Sequence, residues 1–337
     1  MGECMATPEA DGVPTAEEET PPSPGTSAER DLQAVDLDIR EGRFQRWLAL
    51  VAGLSSILSG GEVAYEHYKG SYSRRIMYTP VILSEILMVC GVGGFFSPRI
   101  ARTLLPAVSA ITLLDGTVGF YFHVRGVQRK PGGWRLPIVN IVMGPPLFAP
   151  LLFGISAYLG LIASFLRRNE NGTAEGGILP LPAHARHWGK ALGGKHEPID
   201  PAQDVREGRF QRQMAAAAAV AAFLSGAEAW YSHYKNGFRY KVQYTPLVVA
   251  PMLMIAGAAA VKSVRVAHTW LPAISALAML NGGVGFGYHA RGVLRKPGGA
   301  KKLLYNITYG PPIFAPLLFA ASGFLGVLAS LLRRKPE

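Results

Sequence analysis

Four histidines carry the most specific chemistry in this chain, because they recur in register. His67 pairs with His233, and His123 with His289, each 166 positions on. His67 closes one apolar stretch and His123 closes another two stretches later. In an up-and-down helical arrangement both would reach the same membrane face at similar depth, on diagonally placed helices. Gly60 lies seven residues before His67 and Gly116 seven before His123, with Gly226 and Gly282 in the second copy. Seven residues are close to two helical turns, so each glycine shares a face with its histidine. Two imidazoles at one level, with small residues beside them, are what a flat macrocycle requires. One reading therefore makes His67/His123 and His233/His289 axial ligands of a b-type haem iron, exchanging electrons with quinone. Arg125, Arg129, Arg291 and Arg295 lie on the same side, as do Arg74, Arg75 and Lys130, and could pair with propionates.

Other readings use the same residues. A histidine at the end of a span can be an interfacial polar group beside the Tyr65 and Tyr68 rings. The glycines can serve only close helix packing, as can Gly119, Gly285 and the Gly283-to-Gly287 spacing. A metal or proton site combining Glu62 with a histidine is a third option. Glu62 and His67 are five positions apart, about 140° around a helix, so they would not chelate one ion from one face.

Acidic residues inside apolar stretches are costly, about 2.5–3.5 kcal/mol each on insertion scales, which makes them functional candidates. Glu62, Glu66, Glu85, Asp115 and Glu228 qualify. Glu62 and Glu228 are counterparts and could line a path at an interface, as in a proton- or ion-coupled transporter or channel. Glu85 is replaced by Pro251 and Asp115 by Asn281, so the two copies are expected to have unequal roles.

The elements that must position these residues follow from an internal repeat. Residues 40–168 align without a gap to 206–334, with 65 of 129 positions identical. Arg40 to Arg46 recurs as Arg206 to Arg212, and the His123 to Gly133 segment recurs from His289 to Gly299. Each copy contains four apolar stretches, about 44–66, 80–96, 103–124 and 144–166 in the first, and 210–233, 246–261, 269–290 and 310–332 in the second. Roughly 20 residues cross a hydrocarbon core of about 30 Å, and the runs are continuous rather than alternating, which favours helices over strands. The second stretch of each copy is the shortest. Thr79 is expected to cap the second helix with Pro80 at its first position, Pro106 to sit in the first turn of the third, and Pro145 and Pro146 to open the fourth. An even number of spans returns the chain to its starting side, so the copies run parallel rather than inverted. The expected fold is an all-α integral membrane protein of about eight spans, a tandem parallel duplication of a four-helix bundle.

Composition narrows the function classes. The chain has 337 residues, 49% hydrophobic and 17% charged, against about 25% charged in ordinary soluble domains. Its two cysteines, Cys4 and Cys90, exclude a disulfide framework. Net charge is +11, yet residues 1–39 hold ten acids and one base, leaving +20 on the remainder. The bases cluster beside the apolar runs, which suits anionic headgroups and argues against nucleic acid. Residues 1–39 read as a disordered acidic tail and 169–205 as a flexible linker. His184, His187 and His196, near Trp188, could bind a metal within that linker. Asn171-Gly172-Thr173 and Asn306-Ile307-Thr308 match the glycosylation pattern, which is uninformative without a secretory context. No secretory signal pattern precedes residue 40, so the first span is expected to act as an uncleaved anchor.

The side carrying both termini holds 19 Lys and Arg and the other side 15, a slight lean toward cytoplasmic termini. With no organelle signal, the expected location is the cell membrane, specifically a bacterial cytoplasmic membrane. By helix count alone, the two-bundle layout is similar to membrane subunits of quinone-linked oxidoreductases. That likeness lends slight support to the haem reading; the expected partners are the lipid bilayer and other membrane or membrane-associated subunits. The chain contains no Walker A, His-Glu-x-x-His, nucleophile-elbow or dinucleotide motif, which leaves room for a purely structural anchoring subunit. The His-x-Arg-Gly-Val-x-Arg-Lys-Pro-Gly-Gly loop at 123–133 could bind lipid phosphate, a partner subunit or another anion, or only fix topology.

Overall fold

The computed structural model describes residues 43–166 and 208–331. The acidic tail, the linker with His184, His187, Trp188 and His196, and Asn171 lie outside the described residues. All regular elements among the described residues are helices. The first half comprises α1 (Arg43–Lys69), α2 (Thr79–Phe96), α3 (Pro98–Arg102), α4 (Leu104–Gln128), α5 (Pro137–Val142) and α6 (Ala149–Leu166). The second comprises α7 (Arg209–Lys235), α8 (Thr245–Lys262), α9 (Val264–His268), α10 (Trp270–Leu294), α11 (Leu303–Thr308) and α12 (Ala315–Leu331).

Within each half the four long helices form a ring. In the first, α1 packs on α2 and α6, and α4 closes the ring between α2 and α6. The second half repeats this with α7, α8, α10 and α12. The outward faces stay apolar, as at Ile82, Val89, Leu114, Ile255 and Leu280. Seven helical segments are long and apolar enough to cross a membrane, and α12, with 17 residues, is a shorter apolar helix. The chain is a multi-pass membrane protein on this ground.

The second and fourth helices are together the shortest of the long ones, 18 residues each in the first half and 18 and 17 in the second, and for the fourth the reason is local. Pro145 and Pro146 do not open α6. They lie in an irregular, bent approach, and the helix begins only at Ala149, with Pro150 in its first turn. Thr79 likewise is no cap: the helix already includes it, and its hydroxyl turns back to the carbonyl of Ile76 at 2.9 Å. Pro106 does lie in the first turn of α4. The short α3 was hidden behind the apolar run. Ser97 caps it, accepting from the Ile100 N–H at 3.5 Å, and Ser263 does the same for α9 from Val266 at 3.3 Å.

Lipid offers no hydrophobic reward for bringing helices together, so close packing must come from small residues. A methyl group on Gly91 of α2 would stand 2.6 Å from the Ala49 carbonyl oxygen and 2.7 Å from the Gly53 Cα. Gly257 of α8 approaches the Ala215 carbonyl of α7 in the same way, at 2.8 Å. Serines add buried ties: the Ser56 hydroxyl donates to the Ser84 carbonyl at 3.1 Å. Ser59 meets Ser156 at 3.3 Å and Ser225 meets Ser322 at 3.4 Å, joining the first helix of each half to its fourth. Between halves, α6 lies against α7 and α12 against α1.

Gly91→Leu is expected to force α1 and α2 apart and to cost about 1–3 kcal/mol. Gly283→Ala, where a methyl group meets open space, should leave stability equal or higher. Thermal unfolding of the detergent-purified chain separates the two outcomes.

Candidate functional site

The polar residues singled out by sequence gather at one end of the molecule, where α1 and α7 finish and α6 and α12 begin. Near the finish of α1 stand Glu62, Tyr65, Glu66 and His67, and near the finish of α7 stand Glu228, Tyr231 and His233. The start of α6 is made from Gly144-Pro145-Pro146-Leu147-Phe148-Ala149-Pro150. A helix start leaves up to four backbone N–H groups without a partner. Proline at 150 removes one such donor. The Phe148 N–H, immediately before the helix, needs an acceptor.

That acceptor comes from the other half. The Phe148 N–H donates to Glu228 Oε2 at 3.0 Å, and the Leu147 N–H donates to the Tyr231 hydroxyl at 2.9 Å. Reciprocally, the Phe314 N–H before α12 donates to Glu62 Oε2 at 2.9 Å. Each carboxylate therefore sits at the N-terminus of the opposite half's fourth helix, where the helix dipole favours negative charge. Glu62 and Glu228 come together across the interface between halves, but as a clasp on backbone amides rather than as a free lining.

The histidines also come together. His233 and His289 have ring centroids 6.5 Å apart at 70°, and His123 lies within electrostatic reach of His67. All four rings hold backbone. His67 Nδ1 bonds the Met77 carbonyl at 2.7 Å and His233 Nδ1 the Gln243 carbonyl at 2.9 Å. His123 Nδ1 bonds the Pro146 carbonyl and His289 Nδ1 the Pro312 carbonyl. A carbonyl only accepts, so each Nδ1 carries the hydrogen and each neutral ring keeps its lone pair on Nε2. His67 and His233 thus pin the loop between first and second helices, while His123 and His289 pin the diproline segments. Stacked rings complete the first loop: Tyr72 on Tyr78 at 4.2 Å, and Phe238 on Tyr244 at 4.5 Å.

The glycines expected to admit a macrocycle are filled by neighbouring helices. A methyl group on Gly60 would overlap the Ser84 side chain of α2, and one on Gly116 would stand 2.6 Å from the Pro150 carbonyl oxygen of α6. Gly226 faces Ala250 and Gly282 faces the Pro316 carbonyl in the same manner. At each of these four positions the space beside the glycine is taken by a neighbouring helix. Among the described residues no group of three or more His, Cys, Asp or Glu is arranged to hold a metal ion. Shallow cavities of about 240 and 310 Å³ lie elsewhere, one beside Phe165 and Phe210 and one beside Met252 and Trp270.

Asp115 is half-buried and its Oδ1 accepts from the Thr79 hydroxyl at 2.6 Å, while Asn281 Nδ2 donates to Thr245 Oγ1 at 2.7 Å. Glu85 is exposed on α2, apart from this end cluster. Glu66 forms an ion pair with Lys69 at 2.6 Å. Arg125, Arg129, Arg291 and Arg295 are exposed, and the Arg125 guanidinium donates to the Tyr121 hydroxyl at 3.5 Å. Asn306, in the glycosylation-like triplet, is buried, with its amide donating to the Gly299 carbonyl at 3.0 Å. Sequence reasoning read Tyr65 only as an interfacial ring and missed Tyr231 and the serine pairs. Their signal was identity between the copies: Tyr65 with Tyr231, Ser59 with Ser225, and Ser156 with Ser322.

Glu228→Ala should destabilise the chain by about 1–3 kcal/mol, because the half-buried Phe148 amide loses its acceptor. Glu228→Gln should recover most of that loss, since its amide oxygen still accepts from Phe148. Unfolding midpoints of both variants in one detergent decide whether the cap or the charge matters.

No protein-family model, curated protein or solved structure matches the chain, and the chemistry of this end cluster rests on its own geometry.

Proposed function

We propose that the chain is a structural, anchoring subunit of a membrane complex, built from a duplicated four-helix unit in parallel orientation. The observation that carries this reading is the use made of the intramembrane polar groups. Glu62 and Glu228 cap helices across the interface, and the four histidines hold loop carbonyls. Asp115 and Asn281 tie α4 to α2 and α10 to α8 through Thr79 and Thr245. The carboxylate and histidine bonds secure irregular backbone, and the Asp115 and Asn281 bonds join neighbouring helices. The carboxylates that an ion path would use are engaged in the same work, which weighs against transport. The anchoring reading places the protein in a cell membrane beside other subunits.

A second reading has one specific observation in its favour. Two imidazoles bound through Nε2 to one metal at about 2.0–2.1 Å, from opposite sides, stand with centroids about 6 Å apart. His233 and His289 stand 6.5 Å apart, and each donates its Nδ1–H to a carbonyl, the usual outer support of a metal-bound histidine. Such a pair could hold a metal ion for electron transfer. The filled glycines disfavour haem as its form.

The chain purified from its native membrane in mild detergent discriminates these readings. Anchoring predicts a partner at fixed stoichiometry through sizing and ion exchange, no metal above background, and a featureless visible difference spectrum, reduced minus oxidised. One or two metal ions per chain, lost in His233→Gln with His289→Gln, would install the metal reading instead. Sharp visible bands would restore haem, and solute flux abolished by Glu62→Gln with Glu228→Gln would restore transport.

A further inference from the structure

The end of the molecule that carries the clasp also carries a surface the anchoring reading does not use. Beyond α4 the chain turns at Pro131-Gly132-Gly133, and beyond α10 at Pro297-Gly298-Gly299. The glycines adopt positive φ, +79° and +47° in the first turn and +85° and +47° in the second, which side chains resist. A buried asparagine locks each turn. Asn140 donates to the Pro131 and Gly133 carbonyls at 3.0 and 2.8 Å, and Asn306 to the Pro297 and Gly299 carbonyls at 3.4 and 3.0 Å. These loops are fixed in shape, in duplicate.

Each turn presents bases next to exposed apolar residues. Arg125, Arg129 and Lys130 precede the first turn, and their counterparts Arg291, Arg295 and Lys296 precede the second. The short helices that follow turn their apolar side chains outward. Ile138 and Val139 on α5 are 58% and 56% exposed, and Leu304 and Tyr305 on α11 are 83% and 61% exposed. Exposed aliphatic side chains beside a span end fit the acyl boundary of a bilayer, with the adjacent bases at headgroup level. The two loop segments carry one sign of charge: no Asp or Glu occurs between Asp115 and Glu170, or between Glu228 and Glu337. Fifteen Lys and Arg lie on this side of the spans, and the acid at the span ends, Glu66, is already paired with Lys69.

We infer that the paired Pro-Gly-Gly loops and their short helices form a binding surface for anionic phospholipid headgroups in the leaflet at this end. The bases pair with headgroup phosphates while α5 and α11 lie in the boundary beneath them. The surface does not depend on what the histidines hold, so its test stands or falls apart from that of the anchoring role.

The test uses the full-length chain in detergent, titrated with phosphatidylglycerol or phosphatidylcholine and read by native mass spectrometry and thermal shift. Phosphatidylglycerol should be retained and should raise the melting temperature, whereas phosphatidylcholine at equal concentration should do neither. Replacing Arg125, Arg129, Arg291 and Arg295 with Gln should weaken phosphatidylglycerol binding by about tenfold or more. Replacing Arg99 and Arg265 with Gln, at the opposite end, should leave it unchanged. Inorganic phosphate should not compete, because the apolar contact is absent. Equal response to both lipids in the unaltered chain overturns the inference whether or not the variants fold. So does undiminished selectivity in the folded four-site variant, or full competition by inorganic phosphate.

Discussion

Everything at the loaded end of this molecule follows from a need to satisfy backbone amides where lipid cannot. A regular helix meets that need internally, and irregular backbone at membrane depth does not. The diproline segments at 145–146 and 311–312 are irregular by composition. They delay the fourth helices and leave amides and carbonyls facing their neighbours. Glu228 and Tyr231 take the amides at 148 and 147, and His123 takes the carbonyl at 146. The costly residues are there because the backbone is costly, and removing either side of the arrangement would expose the other.

The same principle explains why the two halves keep one geometry while differing in chemistry. Asn281 donates to Thr245, whose own hydroxyl donates to the Val242 carbonyl at 2.8 Å, so each hydrogen has one acceptor. Thr79 faces two acceptors, Asp115 Oδ1 and the Ile76 carbonyl, with one hydroxyl hydrogen. The amide version satisfies its neighbours more fully than the acid version does. Glu66, with Ser232 as counterpart, and Glu85, with Pro251, add acidic groups to the first half alone. The first half is therefore the less positive of the two within a shared scaffold.

Much of the scaffold was legible in the residues. Continuous apolar runs with bases at their ends marked the long helices, and the His67–His123 spacing placed two rings at one end on diagonal helices. What could not be read was contact. A glycine seven residues from a histidine looks alike whether a macrocycle or a helix backbone lies against it, and Gly116 meets the Pro150 carbonyl. Glu62 and Phe314 are 252 positions apart, and no local pattern announces that a carboxylate will cap a helix so distant. Thr79-Pro80 carried a helix-start signature, yet the preceding turn at Arg75–Tyr78 ran into the helix and freed the hydroxyl for Asp115.

The reciprocity of the clasp makes the two halves depend on each other. Each first helix supplies the acid that the other half's fourth helix requires, so neither half completes its own helix start. Two copies related by a two-fold axis would meet this need symmetrically, each giving and receiving once. Joining them in one polypeptide keeps the exchange at high effective concentration. It also removes the demand that both copies be identical, which a dimer of one chain would impose. Glu62 and Glu228, like the diprolines, are the same in both halves, and losing either acid would leave an amide of the other half without its acceptor.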